Sequence, residues 1–182
     1  MTNEKLRQFL ASRSACQSAM DWLGDRDSDQ MWAECRRPDW LLWWAGQVVP
    51  RQELVLAACD CAETALRFVP ANEDRPRLAI ETARRWATGE ATVEEVEDAR
   101  AAVRTAAYAA DAALGNNLFQ ESPASRAVYA VLAAYHAANA AYHADEPFRA
   151  AYAALRAANV TYATMCRLIR TRWPECPLPE EA

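Results

Sequence analysis

Glycine is scarce in this 182-residue chain, which contains only four. Each of them, Gly24, Gly46, Gly89 and Gly115, follows a stretch with helical periodicity. Glycine adopts left-handed backbone angles at little cost, so it commonly follows the last turn of a helix. We therefore predict that all four glycines end helices. None remains for a phosphate-binding glycine loop, and the chain contains neither a G-x-S-x-G nor an H-E-x-x-H motif.

Long apolar runs and a basic charge balance are also lacking. The longest apolar candidate, Trp40 to Ala45, is far shorter than the roughly 20 residues that cross a membrane. The N-terminal sequence MTNEKLRQFL lacks the basic-then-apolar order of a signal peptide. The net charge of −5 disfavours nucleic-acid binding, which relies on a basic surface. We therefore expect a soluble, cytoplasmic protein with neither nucleic acid nor membrane as a partner.

Potential metal ligands are few and poorly spaced. His136 and His143 lie seven residues apart on one predicted helix, about 10 Å along its axis, which is too far to share one ion. Cys59 and Cys61 would point to nearly opposite sides of a helix. Most of the six cysteines fall within apolar helical patterns. We therefore expect reduced thiols, no metal and no cofactor.

Helical signals cover nearly the whole chain. Prolines near first turns, glycines near ends and apolar stripes predict helices at residues 3–12, 14–23, 28–35, 38–46, 51–69, 75–88, 93–114, 123–144 and 146–172. No segment alternates with the period of a half-buried strand. We predict an all-helical single domain over residues 1–173, built as a bundle of eight or nine helices, with an irregular tail over 174–182.

The two halves of the chain differ in composition. Six of the seven tryptophans lie in the N-terminal half, at Trp22, Trp32, Trp40, Trp43, Trp44 and Trp86. Alanine dominates from residue 101 to 158, with tyrosines spaced between. Alanine is the best helix former and lets helices approach closely. We therefore expect the C-terminal half to be a tightly packed helical bundle.

A tryptophan-rich segment over residues 35–46 is the first candidate site. Trp40, Trp43 and Trp44 are interleaved with two leucines, and five such side chains cannot all face one core from a short helix. Either this helix is almost fully buried at the centre of the fold, which we favour, or it presents an aromatic face to something else. The three tryptophans are therefore candidate binding residues.

Residues 72–92 combine acids with arginines and form a second candidate. Asp74 precedes Arg75 and a proline, which predicts that Asp74 is a helix N-cap. Arg77 and Arg84 follow at spacings that favour local ion pairs with nearby carboxylates. Such pairs are more often structural than functional, but Asp74, Arg75, Arg77 and Arg84 stay candidate binding residues.

Acidic side chains begin the next predicted helix. Thr92 and Glu95 have the spacing of a capping box. Glu94, Glu95 and Asp98 lie in the first turns, where the helix dipole favours acids. They form either a solvated, capped helix start, which we favour, or an acidic patch for a basic partner.

Four segments together produce a family resemblance. They read A-C-x-x-A-x-x-W-L (15–23), C-x-R-P-D-W-L-L-W (35–43), L-V-L-A-A-C-x-C-A (54–62) and V-P-x-x-E-D-R-P-R-L-A-I-E (69–81). In this order, and followed by an Ala/Tyr-rich helical half, they resemble a bacterial and phage family of immunity proteins over about residues 14–160. The resemblance implies a protein that neutralises a bacterial toxin by direct binding. It implies no catalytic residues, so we expect a protein partner and no enzymatic activity.

A second class of function fits the same residues. A phage-encoded counter-defence protein could cap a host defence effector or sequester a signalling nucleotide. The tryptophan-rich half, together with Arg75, Arg77, Arg84 and Arg85, would then supply the pocket. A deep pocket lined by arginine and tryptophan would favour nucleotide sequestration over toxin neutralisation. An enzyme is the third and least favoured interpretation.

Overall fold

The computed structural model describes residues 1–114, 122–142, 149–150, 152–154 and 162–179. This part of the chain is helical and contains no β-strand, which confirms the predicted all-helical class. The helices are α1 (Asn3–Ser12), α2 (Gln17–Leu23), α3 (Ser28–Glu34), α4 (Pro38–Val48), α5 (Arg51–Glu63), a 3-10 helix (Leu66–Phe68), α6 (Arg75–Ala87), α7 (Val93–Leu114), α8 (Pro123–Asn139) and α9 (Tyr162–Arg172). Residues 149–150 and 152–154 are also helical. Within these ranges no helix combines the length and apolarity needed to cross a bilayer.

Two of the four glycines end helices as predicted. Gly24, with a φ of 53°, follows α2, and Gly89, with a φ of 80°, follows α6. The prediction for Gly46 was wrong because α4 continues through it to Val48. That helix ends two residues before a proline, which disfavours helical backbone in the residue preceding it. The prediction for Gly115 lies outside the described residues.

The helix predicted over residues 51–69 is shorter in the structure. α5 ends at Glu63, and the hydroxyl of Thr64 donates a hydrogen bond to the carbonyl of Cys61 at 2.7 Å. Such side-chain bonds to the backbone compete with regular helical bonding. A single 3-10 turn follows. The apolar pattern alone therefore overestimated the length of α5.

Helices α5 to α8 form the larger part of the core. α6 contacts α5, α7 and α8, and α8 also contacts α5. Buried alanines on α8 are Ala130, Ala133, Ala134, Ala137 and Ala138. These small side chains let neighbouring helices approach closely around the larger buried side chains, such as Leu54, Ile80 and Val103.

Helix α9 joins α4 and α5 at one side of this bundle. Its Cys166 and Ile169 are buried. At its last turn, Arg172 Nη2 lies 2.6 Å from Asp60 Oδ2 on α5. Asp60 Oδ1 also lies 2.8 Å from Arg84 Nη2 on α6. One carboxylate therefore connects α9 with two helices, α5 and α6, from an earlier part of the chain.

The chain after α9 turns back over α3 and α4 without helical structure. Trp32 Nε1 donates to the carbonyl of Trp173 at 3.0 Å, and Trp44 Nε1 donates to the carbonyl of Pro177 at 2.9 Å. Both indole N–H groups thereby gain the partner that a buried indole requires. This segment therefore fixes the orientation of two tryptophans in the N-terminal half.

Candidate ligand-binding pocket

The three tryptophans of α4 occupy different environments. Trp44 is only 1% exposed, and Leu41 and Leu42 beside it are also buried. Trp40 and Trp43 are half-buried. Helix α4 is therefore anchored in the core along one side, while its two outer tryptophans border open space.

A pocket of about 270 Å³ lies among the first four helices. Four tryptophans form its aromatic wall: Trp22 on α2, and Trp40, Trp43 and Trp44 on α4. The other described residues that line it are Leu10, Ser14, Ala15, Cys16, Ala19, Leu23, Met31, Cys35 and Asp39. Most of these side chains are apolar. We call this space the tryptophan pocket.

The turn between α1 and α2 lines part of the tryptophan pocket. Ser14 has a φ of 58° and is the only non-glycine residue with a positive φ in the described part of the chain. Its N–H donates to the carbonyl of Ala11, and the N–H of Ala15 donates to that of Leu10. This pattern ends a helix at a left-handed residue. The chain reverses at Ser14, so α2 begins at Gln17 and not at residue 14 as predicted.

Ring contacts hold the aromatic wall in place. The rings of Trp22 and Trp40 have centroids 5.8 Å apart and are tilted by 58°. Phe9 packs edge-on against Trp44 with a centroid distance of 5.3 Å. The N–H of Trp44 is already bonded to a carbonyl of the C-terminal segment. This tryptophan therefore offers the pocket an apolar ring surface and no free donor.

An arginine-lined space of about 710 Å³ adjoins the tryptophan pocket. The two share Trp22 and Cys35 as a common wall. Its arginines are Arg26, Arg36, Arg37 and Arg170. Glu34 is the single carboxylate among the described residues that line it. We call this space the arginine recess.

Two of these arginines stack on the tryptophans of the pocket. Arg26 Cζ lies 4.7 Å from the ring centroid of Trp22, and Arg37 Cζ lies 4.6 Å from that of Trp40. A guanidinium over an aromatic face is attracted by the negative potential of the ring. The positive charge of the recess therefore reaches the edge of the pocket.

The carboxylates near the recess are already engaged. Arg26 Nε lies 2.7 Å from Glu34 Oε2, and Arg37 Nη2 lies 2.6 Å from Asp39 Oδ2. The hydrogen bond to Asp39 raises the pKa of the Arg37 guanidinium. Both guanidinium groups are therefore held in fixed positions.

The other two arginines of the recess have no carboxylate partner among the described residues. Arg170 Nε donates to the carbonyl of Trp32 at 2.8 Å, and Arg170 Nη2 donates to that of Cys35. These carbonyls lie at the C-terminal end of α3, where the helix dipole favours a cation. Arg36 is exposed and makes no hydrogen bond or ion pair with any described residue. The recess therefore carries excess positive charge.

Burial makes two thiols of this region, Cys35 and Cys166, poor nucleophiles. Burial raises the pKa of Cys35, and it raises the pKa of Cys166 to about 12. Both thiols are therefore protonated at neutral pH, whereas nucleophilic cysteines need a lowered pKa.

The charged candidates on α6 lie away from both spaces. Arg75 pairs with Glu73, Arg77 pairs with Asp74 and Glu81, and Arg84 pairs with Asp60 and Glu63. None of these arginines, nor Arg85, lines the pocket or the recess. The structure therefore does not bring them together with the tryptophans of α4.

Asp74 is the N-cap residue of α6, as predicted, but its side chain does not cap the helix. Asp74 makes no side-chain capping bond, because its backbone is already in the right-handed helical region and not in the extended region usual for an N-cap. The N–H of Arg75 instead donates to Glu73 Oε1 at 3.1 Å. The hydrogen bond from the Arg75 guanidinium lowers the pKa of Glu73. Glu73 is therefore the capping carboxylate of α6.

The acidic candidates at the start of α7 are exposed. The N–H of Thr92 donates to Glu95 Oε2 at 2.7 Å, and the N–H of Glu95 donates to Thr92 Oγ1 at 3.3 Å, which confirms the capping box. Glu94 accepts bonds from its own N–H and from Thr92, and these lower its pKa. Asp98 is exposed on the next turn. Glu95 is thus a structural cap, while Glu94 and Asp98 face solvent.

The described residues contain no group of three or more histidine, cysteine, aspartate or glutamate side chains that could hold a metal ion. His136 is half-buried, and its ring lies 5.2 Å from that of Tyr135. His143 lies outside the described residues.

Sequence reasoning identified part of this site and missed the rest. Trp40, Trp43 and Trp44 were candidates, and all three line the pocket. The recess was missed, although Arg36 and Arg37 lie in the same sequence motif as these tryptophans. Two arginines directly before a proline at a helix start were an available signal, because they lie beside the aromatic side chains of the first turn.

The structure defines an all-helical protein with an aromatic pocket beside a cationic recess. In comparisons with protein-family models, curated proteins and solved structures, none matches this chain. The resemblance to immunity proteins stays a prediction from sequence motifs.

Proposed function

We propose that this chain is a non-enzymatic binding protein whose binding site is the tryptophan pocket. The observation that carries this proposal is a largely apolar space of about 270 Å³ with four tryptophans in its wall. An apolar cavity of about 150 Å³ already holds one benzene molecule, so this pocket has room for a flat two-ring group. Complete small-molecule sites measure about 300–1,000 Å³, so only part of a ligand would enter it.

The polar groups beside the pocket support binding over catalysis. Its carboxylate, Asp39, is held by Arg37, and burial keeps the thiol of Cys35 protonated. General acid–base catalysis needs a group with a pKa near neutrality within reach of the reacting atoms. The described lining residues of the pocket include no histidine.

The biological role that this site supports best is sequestration of a small ring-bearing molecule. Tryptophan side chains provide large flat surfaces for a ring, and the adjoining arginines would hold a polar substituent. This is the chemistry expected of a counter-defence protein that sequesters a signalling nucleotide. The arginines differ from those suggested by the sequence, because they lie near α3, α4 and α9 and not on α6.

Toxin neutralisation by direct binding is the second candidate. It is supported by the sequence resemblance to immunity proteins and by the exposed carboxylates of Glu94 and Asp98. With a net charge of −5, the chain would attract a basic toxin and accelerate its encounter. In this case α7 would lie in the interface, and the tryptophan pocket would not be required.

Replacing Trp43 with alanine tests the pocket directly. Trp43 is half-buried, so we expect the free energy of unfolding to fall by about 1–3 kcal/mol, less than for a fully buried tryptophan. We expect the affinity for indole, measured by titration calorimetry, to fall about tenfold or more, because ring stacking is lost. Thermal denaturation followed by circular dichroism would verify that the variant is folded.

Trp86→Ala is the matched control, because Trp86 is also half-buried but does not line the pocket. It should lose stability and keep its affinity for indole. Equal indole binding by wild type and Trp43→Ala would contradict the proposed site.

Affinity capture from cells separates the two roles. Release of a small molecule from the heat-denatured protein, identified by mass spectrometry, would support sequestration. Capture of one basic protein at fixed stoichiometry, abolished by Glu94→Lys with Asp98→Lys and unaffected by Trp43→Ala, would support toxin neutralisation and overturn sequestration.

A further inference from the structure

We infer that the arginine recess binds the phosphate of a purine nucleotide whose base occupies the tryptophan pocket. This inference rests on the proposed function, since it assigns the chemical class of the ligand to the same site. The proposed ligand is a free mononucleotide. Its base is small enough for the tryptophan pocket, and its phosphate would lie in the adjoining arginine recess.

The local charge of the recess opposes that of the whole chain. The chain carries a net charge of −5, yet four arginines and one carboxylate are the charged residues described around the recess. Like charges gathered in one concave space repel each other unless an anion neutralises them. The recess is therefore suited to an anion and unsuited to a neutral or basic group.

Two of the arginines, Arg170 and Arg37, are positioned before any ligand arrives. Arg170 is held by two backbone carbonyls at the end of α3, and Arg37 is held by Asp39. Arg36 has no partner among the described residues and keeps all of its donors for a ligand. Side chains that are already ordered lose little conformational entropy on binding. Guanidinium groups bind phosphate oxygens in pairs of parallel hydrogen bonds, and a phosphate has more negative charge and more oxygens than a single carboxylate, so it can bind several arginines at once.

The two spaces are close enough for one small ligand. They share Trp22 and Cys35, and Arg26 lies 4.7 Å from the ring centroid of Trp22. A ring bound against Trp22 would therefore have its substituent within reach of a guanidinium. Because the pocket exceeds the about 150 Å³ that holds one benzene ring, it favours a two-ring purine over a single ring.

Titration calorimetry with adenosine, guanosine and their 5′-monophosphates tests this inference. We expect at least one monophosphate to bind about tenfold or more tightly than its nucleoside, because charged hydrogen bonds form only with the phosphate. Raising the salt from about 0.05 M to about 0.5 M should remove most of this difference, since it screens the partly exposed charges.

Arginine substitutions identify the recess as the phosphate site. We expect Arg36→Gln to reduce monophosphate affinity about tenfold and to leave nucleoside affinity unchanged. Arg37→Gln should reduce monophosphate affinity more than nucleoside affinity, because Arg37 also stacks on Trp40 of the pocket wall. Arg77→Gln is the matched control, because Arg77 and Arg37 are both 50% exposed and both paired with carboxylates. Arg36→Gln breaks no described contact, so it reports on binding even if Arg37→Gln destabilises the start of α4.

The outcomes separate this inference from the proposed function. Suppose that indole binds while the monophosphates bind no better than the nucleosides, or while the arginine variants have no effect. In either case the recess is not a phosphate site, but the tryptophan pocket is still supported as a binding site. If inorganic phosphate binds equally well to the Arg36→Gln variant and to wild type, the inference also fails. If neither indole nor any nucleoside or nucleotide binds, both the inference and the proposed function are wrong.

Discussion

Ser14 carries the most unusual backbone conformation in the described part of the chain. Its φ of 58° places a serine at a helix-ending position that glycine usually occupies. A left-handed conformation brings the β-carbon of an L-residue close to the following carbonyl oxygen. Because Ser14 also lines the tryptophan pocket, the strained turn belongs to the proposed binding site.

Ser14→Gly should stabilise the protein by about 0.5–1 kcal/mol, because relief of the left-handed strain outweighs the greater entropy of glycine in the unfolded chain. Ser12→Gly is the matched control inside the last turn of α1, and it should destabilise the protein by about 0.5–1 kcal/mol. Urea denaturation measures both changes. A loss of stability in Ser14→Gly would mean that the serine side chain stabilises the turn.

Local sequence patterns in α4 do not determine which of its tryptophans is buried. The sequence favoured an almost fully buried helix, whereas Trp40 and Trp43 are half-buried in the structure. The sequence did not indicate that Trp44 is the buried one, because Phe9 and the carbonyl of Pro177 select it. These two partners lie far from Trp44 in the sequence, so no periodicity within α4 reveals them.

Helix α6 begins with a network around one carboxylate. Glu73 accepts from the backbone N–H of Arg75 at 3.1 Å and from Arg75 Nε at 2.7 Å. These bonds are stronger when the carboxylate is ionised, which is why the pKa of Glu73 lies below its ordinary value. The start of α6 therefore depends on pH.

Glu73→Gln should reduce the free energy of unfolding at pH 7 by about 1 kcal/mol, because the hydrogen bonds from Arg75 lose a charged acceptor. A carboxyl with a lowered folded-state pKa stabilises the fold above its unfolded-state pKa of about 4.3 and loses this effect as the pH falls through the folded-state value. The difference in free energy of unfolding between wild type and variant should therefore become smaller below about pH 4. Urea denaturation across this pH range measures this difference. A difference that does not change with pH would contradict the proposal that the ionised carboxylate of Glu73 stabilises the fold.

At the scale of the whole molecule, Asp60 links α9 to the helical bundle. This residue bonds Arg172 of α9 and Arg84 of α6 from its own position on α5, and its side chain is 24% exposed. The ion pairs are therefore screened less than those at the open surface. They attach α9 to the bundle, and α9 in turn contributes Arg170 to the recess.

Asp60→Asn should lower the free energy of unfolding by about 1–3 kcal/mol, because charged hydrogen bonds to two arginines are weakened. Asp74→Asn is the matched control: Asp74 is 68% exposed with one bond at 3.2 Å, and it should change stability by less than about 0.5 kcal/mol. Thermal and urea denaturation would compare the two. Equal effects would mean that Asp60 is no more than a surface ion pair.

Much of the fold follows from the sequence alone. The bounds of α1 and the starts of α3 to α8 agree with the predicted helices, because capping residues and apolar periodicity act over one or two turns. Helix ends were less accurate: α4 passes through Gly46, and α5 stops at Glu63. Where a helix ends depends on whether tertiary contacts stabilise a further turn, and local sequence signals do not encode these contacts.

The amino-acid sequence by itself determined the helical class, most helix starts and the presence of unusually many tryptophans before α5. Only the tertiary structure decided that these tryptophans form a pocket and that Arg26, Arg36, Arg37 and Arg170 gather beside it. The physical reason is the sequence separation over which each kind of interaction acts. Hydrogen bonds and capping within a helix join residues four or fewer positions apart, whereas Arg170 reaches the carbonyl of Trp32 only after α9 has packed on the N-terminal half.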